Sequence, residues 1–141
     1  MDNAAGLLGL AKKAGKIEIG EDSVSTAVRQ GRARLIMSAG DASENSIEHA
    51  RNLAAPTGIV SVVLPYGKDD LGALLGRGSP GILALTDTGL ALSFVEKLEA
   101  AHPGGYEDAV DLLRKKRARA SERKSAAGRT SGNSGKRRTN R

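Results

Sequence analysis

The sequence predicts an α/β fold, one α/β/α sandwich on about four strands, and three observations carry that reading. Helical and extended patterns alternate through residues 1–100, punctuated by glycine and proline. Three extended stretches, 33–38 (ARLIMS), 59–64 (IVSVVL) and 81–85 (GILAL), are near-continuous apolar runs, the pattern of strands covered by helices on both faces. A chain of 141 residues that is 39% apolar is large enough for a single core.

Taken in order, residues 3–14 read as a helix with Leu7, Leu10, Ala11 and Ala14 on one face, and 16–19 as a short extended piece. Residues 22–30 form a second helix around Val24, Ala27 and Val28, followed by the strand at 33–38. Asp41 opens a third helix, which turns Ile47, Ala50 and Ala54 inward and stops at Pro56 and Gly58. After strand 59–64, a short helix at 69–76 carries Leu71, Leu74 and Leu75. After strand 81–85, residues 88–100 form a helix with Ala91, Val95 and Leu98 aligned. Such alternation favours parallel pairing, although periodicity fixes neither strand order nor direction. A last helix begins beyond Pro103-Gly104-Gly105, with Glu107, Asp108 and Asp111 near its start and Arg114 to Arg117 near its end, the order the helix dipole favours. Tyr106, Val110 and Leu113 share one side and dock its first turns on the body.

Charge divides the chain unevenly. Residues 114–141 hold twelve Lys/Arg against one acid, Glu122, a net +11, while residues 1–113 hold ten against fifteen, a net −5. Beyond Arg114 the only apolar side chains are alanines, too little surface to offset the entropy of ordering. The expected organisation is a body at 1–100, a turn and helix start at 101–113, and a basic, mostly disordered tail at 114–141. A basic tail on an acidic body points to a polyanionic partner. Its candidate phosphate contacts are Arg114, Lys115, Lys116, Arg117, Arg119, Lys136, Arg137 and Arg138.

Several function classes find no support. The absence of cysteine removes disulfides, thiolate metal sites and a cysteine nucleophile, and fits a reducing cytoplasm. The opening MDNAAGLLGLAKKAG places its lysines after a short apolar segment, the reverse of a secretory signal, and no run reaches the length of a membrane span. Gly76-Arg77-Gly78-Ser79-Pro80-Gly81 matches G-x-G-x-x-G, but it follows a helix and precedes a strand, the reverse of a dinucleotide fingerprint. It reads as a connecting loop. His49 and His102 have no partner at ligand-like spacing and read as solvated, and Asp69-Asp70 suits a helix start. No catalytic residue, cofactor, metal or small-molecule substrate is expected. With Tyr66, Phe94 and Tyr106 the only aromatics, single-strand readout on a stacking platform is also disfavoured.

Two glycine–acid turns remain, Gly20-Glu21-Asp22-Ser23 and Gly40-Asp41-Ala42-Ser43. At the second, Asp41 suits the cap of the third helix, with Glu44 at its third position. At the first, Asp22 or Ser23 suits the cap of the second helix. The alternative is that the acids accept hydrogen bonds from RNA base N–H groups, which phosphates lack. Lys12, Lys13, Lys16, Arg32 and Arg34 would then neutralise neighbouring phosphates.

The stretch LLGLAKKAGKIEIGEDSVSTAVRQGRARLIMSAGDASEN, with VLPYGKDDLGALLGRG and ILALTDTGLA, resembles the kink-turn RNA-binding superfamily of ribosomal proteins, in particular its small bacterial YlxQ-like members. The resemblance covers residues 6 to about 98 and none of the tail. It implies a mixed four-stranded sheet inside the sandwich, RNA binding without catalysis, and a role near the ribosome or translation. In that family a glycine, an Asn-Glu pair and a lysine at the start of the second helix read the sheared G·A pairs of kinked RNA. The matching positions are Gly20, Asp22, Ser23 and Thr26, with only the glycine kept. The second contact region corresponds to 39–42, with Gly40 and Asp41, and the third to 77–81, with Arg77, Gly78 and Ser79. The resemblance further implies that these loops share one end of the sandwich. The competing expectation is a protein-interaction module whose tail alone holds nucleic acid.

Overall fold

The structure, a computed structural model, describes residues 2–119. The elements follow as α1 (Asn3–Lys13), β1 (Ile17–Ile19), α2 (Glu21–Arg29), β2 (Leu35–Ser38), α3 (Glu44–Ala54), a short 3-10 turn (Ala55–Thr57), β3 (Val60–Val63), α4 (Lys68–Leu75), β4 (Ile82–Leu85) and α5 (Thr88–Ala101). A further helix, α6, covers residues 107–119.

The four strands form one sheet in the order β1-β4-β2-β3. β4 runs antiparallel to both β1 and β2, and only β2 and β3 are parallel. The sheet is therefore mixed, as the family resemblance implied and as helix–strand alternation alone did not. The reversal has a local cause. Gly72 in α4 lets the backbone of Gly78 come so close that a Cβ at Gly72 would collide with the Gly78 carbonyl. The loop after α4 thus folds back along the helix. It delivers the chain to the end of the sheet where β3 finished, and β4 has to run the other way.

Successive strand residues point to opposite faces, and the sheet carries a core on each. Leu35, Met37, Val60, Val62, Leu83 and Leu85 face the larger one, with Leu8, Phe94, Leu98 and Leu113 from α1, α5 and α6. Ile36, Ile82 and Ala84 face the smaller one, with Val24 and Ala27 from α2 and Ala50 and Ala54 from α3. This is the expected three-layer sandwich. The buried face of α1 differs from the one its leucines suggested. Ala4, Ala5, Leu8 and Ala11 are buried, while Leu10 is 53% exposed and Ala14 lies on the surface. Small alanines on the inner side let α1 pack closely against α5, so the bulkier residues were the misleading signal.

Asp2 fastens the start of α1. Its carboxylate accepts from the Ala5 amide at 3.1 Å and from the Tyr66 hydroxyl at 2.5 Å, and pairs with His102 Nε2 at 2.9 Å. His102 is therefore a partner of this tie and not merely solvated. Burial works to raise the Asp2 pKa, but the bonds from Tyr66, His102 and Ala5 outweigh it and hold the carboxyl below its ordinary value of 3.8. Burial and the bond to Asp2 push the Tyr66 phenol up.

α6 continues past the expected helix end and carries Arg114 to Arg119. Glu99 organises its approach by accepting from the Gly104 and Tyr106 amides, each at 2.7 Å. The Tyr106 hydroxyl donates to Val63 O at 2.7 Å, and Lys116 Nζ bonds Gly58 O. Those two anchors fix the direction of α6, from the end of β3 back to its beginning. The remainder of the expected tail, with Lys136, Arg137 and Arg138, lies outside the described residues.

Two predictions follow from this packing. Leu113 on the inner side of α6 is fully buried, so Leu113→Ala should cost about 2–5 kcal/mol in urea unfolding; a cost below that of a surface truncation would mean α6 does not dock. A lowered aspartate pKa adds stability that is complete above the unfolded value and disappears as pH falls through the folded one. The Asp2 contribution should therefore begin to decline as pH falls below about 3.8 and be gone once pH has passed the lower folded value, and Asp2→Asn should flatten the acid limb of a Tm-versus-pH curve.

Candidate functional site

Because β4 opposes its neighbours, the last residues of β1, β2 and β3 and the first of β4 meet at one end of the sheet. The three family-type loops do share this rim. Gly20 N donates to Ile82 O at 3.0 Å, Ala39 N to Gly81 O at 2.9 Å and Gly40 N to Tyr66 O at 2.8 Å. Among the described residues, no group of three or more His, Asp or Glu is arranged to hold a metal ion.

Gly20 occupies the cap position of α2 with φ 96°, a conformation that disfavours any other residue, although the space around it is open. Neither Asp22 nor Ser23 caps this helix, as the sequence suggested. Both sit inside its first turn, and no side chain takes the cap. The exposed Asp22, with Ser23 and Thr26, instead lines a shallow hollow of about 220 Å³ together with Glu18 and Arg32. Arg32 is held there by Glu18 at 3.1 Å and by Gln30 Oε1 at 2.7 Å. Arg29 Nη2 donates to Thr26 Oγ1 at 3.2 Å. Two guanidinium groups therefore flank Thr26. Arg29 escaped the sequence reading, although its spacing of one helical turn from Thr26 was a usable signal.

The second turn is built for packing. A Cβ on Gly40 would lie 2.6 Å from Leu64 O, so the close approach of two loops requires glycine. Asp41 is a cap, but of a different helix from the one expected. Its Oδ1 accepts from the Lys68 amide, the first residue of α4, at 2.8 Å, while Ser43 caps α3 by accepting from the Ser46 amide at 3.1 Å. The capping box assigned to Asp41 and Glu44 is thereby replaced by a tie between two loops. Lys68, which the sequence reading passed over, brings its side chain beside Gly81 on the rim. In the third loop Arg77 and Gly78 are exposed, and Ser79 Oγ donates to Asp69 Oδ1 at 2.8 Å.

Other expected neighbours of Gly20 are elsewhere. Lys16 O accepts from Thr86 N at 2.9 Å and Arg34 N donates to Leu85 O at 2.8 Å, which sets both residues at the opposite end of the sheet. Lys12 bonds Leu75 O at the end of α4, in the layer across the sheet from α2. Closeness in sequence to the Gly20 turn misplaced these three, because β1 and β2 each carry the chain from one pole to the other. His49 Nε2 lies 3.8 Å from Glu21 Oε1, so this histidine too has an acidic neighbour.

Residues 2–91 match the model of the ribosomal protein L7Ae/L30e/S12e/Gadd45 family. The chain is 35% identical over 97 residues to the RNA-binding protein YlxQ of Bacillus subtilis, an alignment covering 66% of this chain and 92% of that protein. Among solved structures, a Bacillus halodurans protein of unknown function superposes with a TM-score of 0.64 at 22% identity, covering 70% of this chain and 99% of its own. The Giardia lamblia 15.5kD RNA binding protein gives a TM-score of 0.54 at 20% identity, covering 68% and 84%. At those identities the two structures speak for the fold.

The loop tie is open to test. Asp41→Ala should cost roughly 1 kcal/mol, as losing a helix cap does, and should speed hydrogen exchange of the first α4 amides. Faster exchange confined to α3 would instead restore the expected capping box.

Proposed function

Because the chain belongs to the ribosomal protein L7Ae/L30e/S12e/Gadd45 family, we propose that it is a non-catalytic RNA-binding protein that recognises structured, kink-turn-like RNA with its rim. The observation that carries this reading is the hollow beside Gly20. There the exposed Asp22 carboxylate and two small hydroxyl side chains face the same space as the Arg32 guanidinium, which Glu18 holds in place. In this reading Asp22 accepts from the N–H groups of a guanine edge, a bond that a phosphate cannot offer. Arg32 and Arg29 meet the adjoining phosphate, in place of the lysine that the family resemblance puts at the position of Thr26. Arg77 stacks on an unpaired base or pairs with phosphate, and Lys68 adds a cation beside Gly81. Residues 114–141 add sequence-independent phosphate contacts. The expected targets are ribosomal or other translation-associated RNAs in the cytoplasm.

The departures at Ser23 and Thr26 favour one rival, a protein-interaction module whose basic tail alone holds nucleic acid. Binding of a kink-turn RNA and a straight duplex at matched salt separates the two. The rim reading expects a preference for the kinked RNA. It also expects Asp22→Ala to reduce that preference by roughly 1.5–3 kcal/mol, about ten- to a hundredfold, leaving the straight duplex unaffected. Equal binding of both RNAs by the unaltered chain would favour the rival.

A further inference from the structure

Arg34, which β2 carries away from the rim, joins the cations of α6 at the opposite pole. A hollow of about 510 Å³ opens there between the start of β2, the start of β3 and the last described turns of α6. Its polar lining is Arg34, Lys116, Arg119 and the hydroxyl residues Thr57 and Thr88, and it contains no acid among the described residues. A second hollow of about 350 Å³ adjoins it through Arg34 and Thr88 and adds Arg117, whose guanidinium lies so close to Gly89 that a Cβ there would collide with it. Asp87, the one acid lining this second space among the described residues, accepts from the Leu90 amide at 2.8 Å as the cap of α5.

We propose that this pole is a second nucleic-acid contact, seating the sugar–phosphate backbone of an RNA strand away from the rim, so that one molecule can hold two segments of RNA. Like charges gathered around one concavity repel until an anion joins them. Burial, and then Arg119 and Arg34, already hold the Lys116 ammonium below its ordinary pKa. The lining selects the kind of anion. Cations and hydroxyls suit phosphate oxygens, and among the described residues neither hollow is lined by an aromatic ring to stack a base or by a side-chain amide to read one. The spread of four cations over two adjoining hollows suits a strand better than a lone phosphate ion. Beyond Arg119 the sequence adds seven further Lys/Arg. The inference does not rest on the rim reading.

The test uses the full chain and a straight RNA duplex, with affinity measured as a function of salt. Arg34 and Arg119 are both exposed, so Arg34→Gln with Arg119→Gln should keep the native melting temperature. The pair should make the slope of log affinity against log salt less negative by about 2, and Arg34→Lys with Arg119→Lys should restore it. An unchanged slope in a glutamine pair with native melting would overturn the proposal. So would displacement of the duplex by millimolar inorganic phosphate at constant ionic strength, which would assign the hollow to a small anion. Because the slope is read on straight duplex, its result is independent of any preference for kinked RNA.

Discussion

The contact between Gly72 and the backbone of Gly78 is the constraint on which the arrangement turns. It folds the loop after α4 back on its own helix, so the chain re-enters the sheet from the end where it left. β4 then lies antiparallel between β1 and β2 and joins the two. Without that reversal, the turns at Gly20 and Gly40 and the Arg77–Gly81 loop would not share an end. The missing side chain that permits this approach is that of Gly72 in α4; in the G-x-G-x-x-G that follows, Gly76 closes the helix at φ 67° and Gly78 supplies the approaching carbonyl.

The aspartates at helix starts and turns separate into two kinds once their partners are known. Asp2, Asp41, Asp69 and Asp87 each accept a hydrogen bond that fastens one segment to another or closes a helix start. These carboxylates are accounted for by folding. Asp22 differs. It lies in the first turn of a helix that no side chain caps, exposed, with Arg32 lining the same hollow. An acid near a helix start gains from the dipole wherever it sits, by roughly 0.3–1 kcal/mol, so its presence alone identifies no ligand. Its neighbours in the hollow are the hydroxyl residues Ser23 and Thr26, with the Arg32 guanidinium and its partner Glu18.

The layer architecture was legible because burial leaves a local trace: apolar runs mark strands covered on both faces, and glycine and proline mark where they stop. Element boundaries fell within a few residues for the same reason. What escaped depends on partners distant in sequence. Asp41 has an equally good local partner in the amides of α3, and only the approach of the loop before α4 decides between them. Lys16 and Arg34 flank the Gly20 turn in sequence, yet β1 and β2 carry them to the other pole. The face of α1 misled because packing against α5 rewards small alanines over exposed leucines. The rim loops themselves were placed by family resemblance and not by periodicity, which carries no information on strand direction.

Charge placement then limits what each pole can do for the other. From Arg34 to Gly40 the extended chain spans roughly 20 Å, as six residues at strand rise must. The screening length at physiological salt is about 8 Å, so the field of Arg34, Lys116 and Arg119 is strongly attenuated at the rim. Cations there cannot neutralise a phosphate bound beside Gly20 from where they stand. α6 makes the separation firm, because its anchors at Val63 and Gly58 fix it pointing away from the rim. A basic segment that continues from Arg119 starts at the far pole, and any help it gives at the rim requires chain reaching back across the body. The helix that extends the sandwich therefore divides the molecule electrostatically, with the exposed Asp22 near the rim at one pole and a cationic hollow at the other.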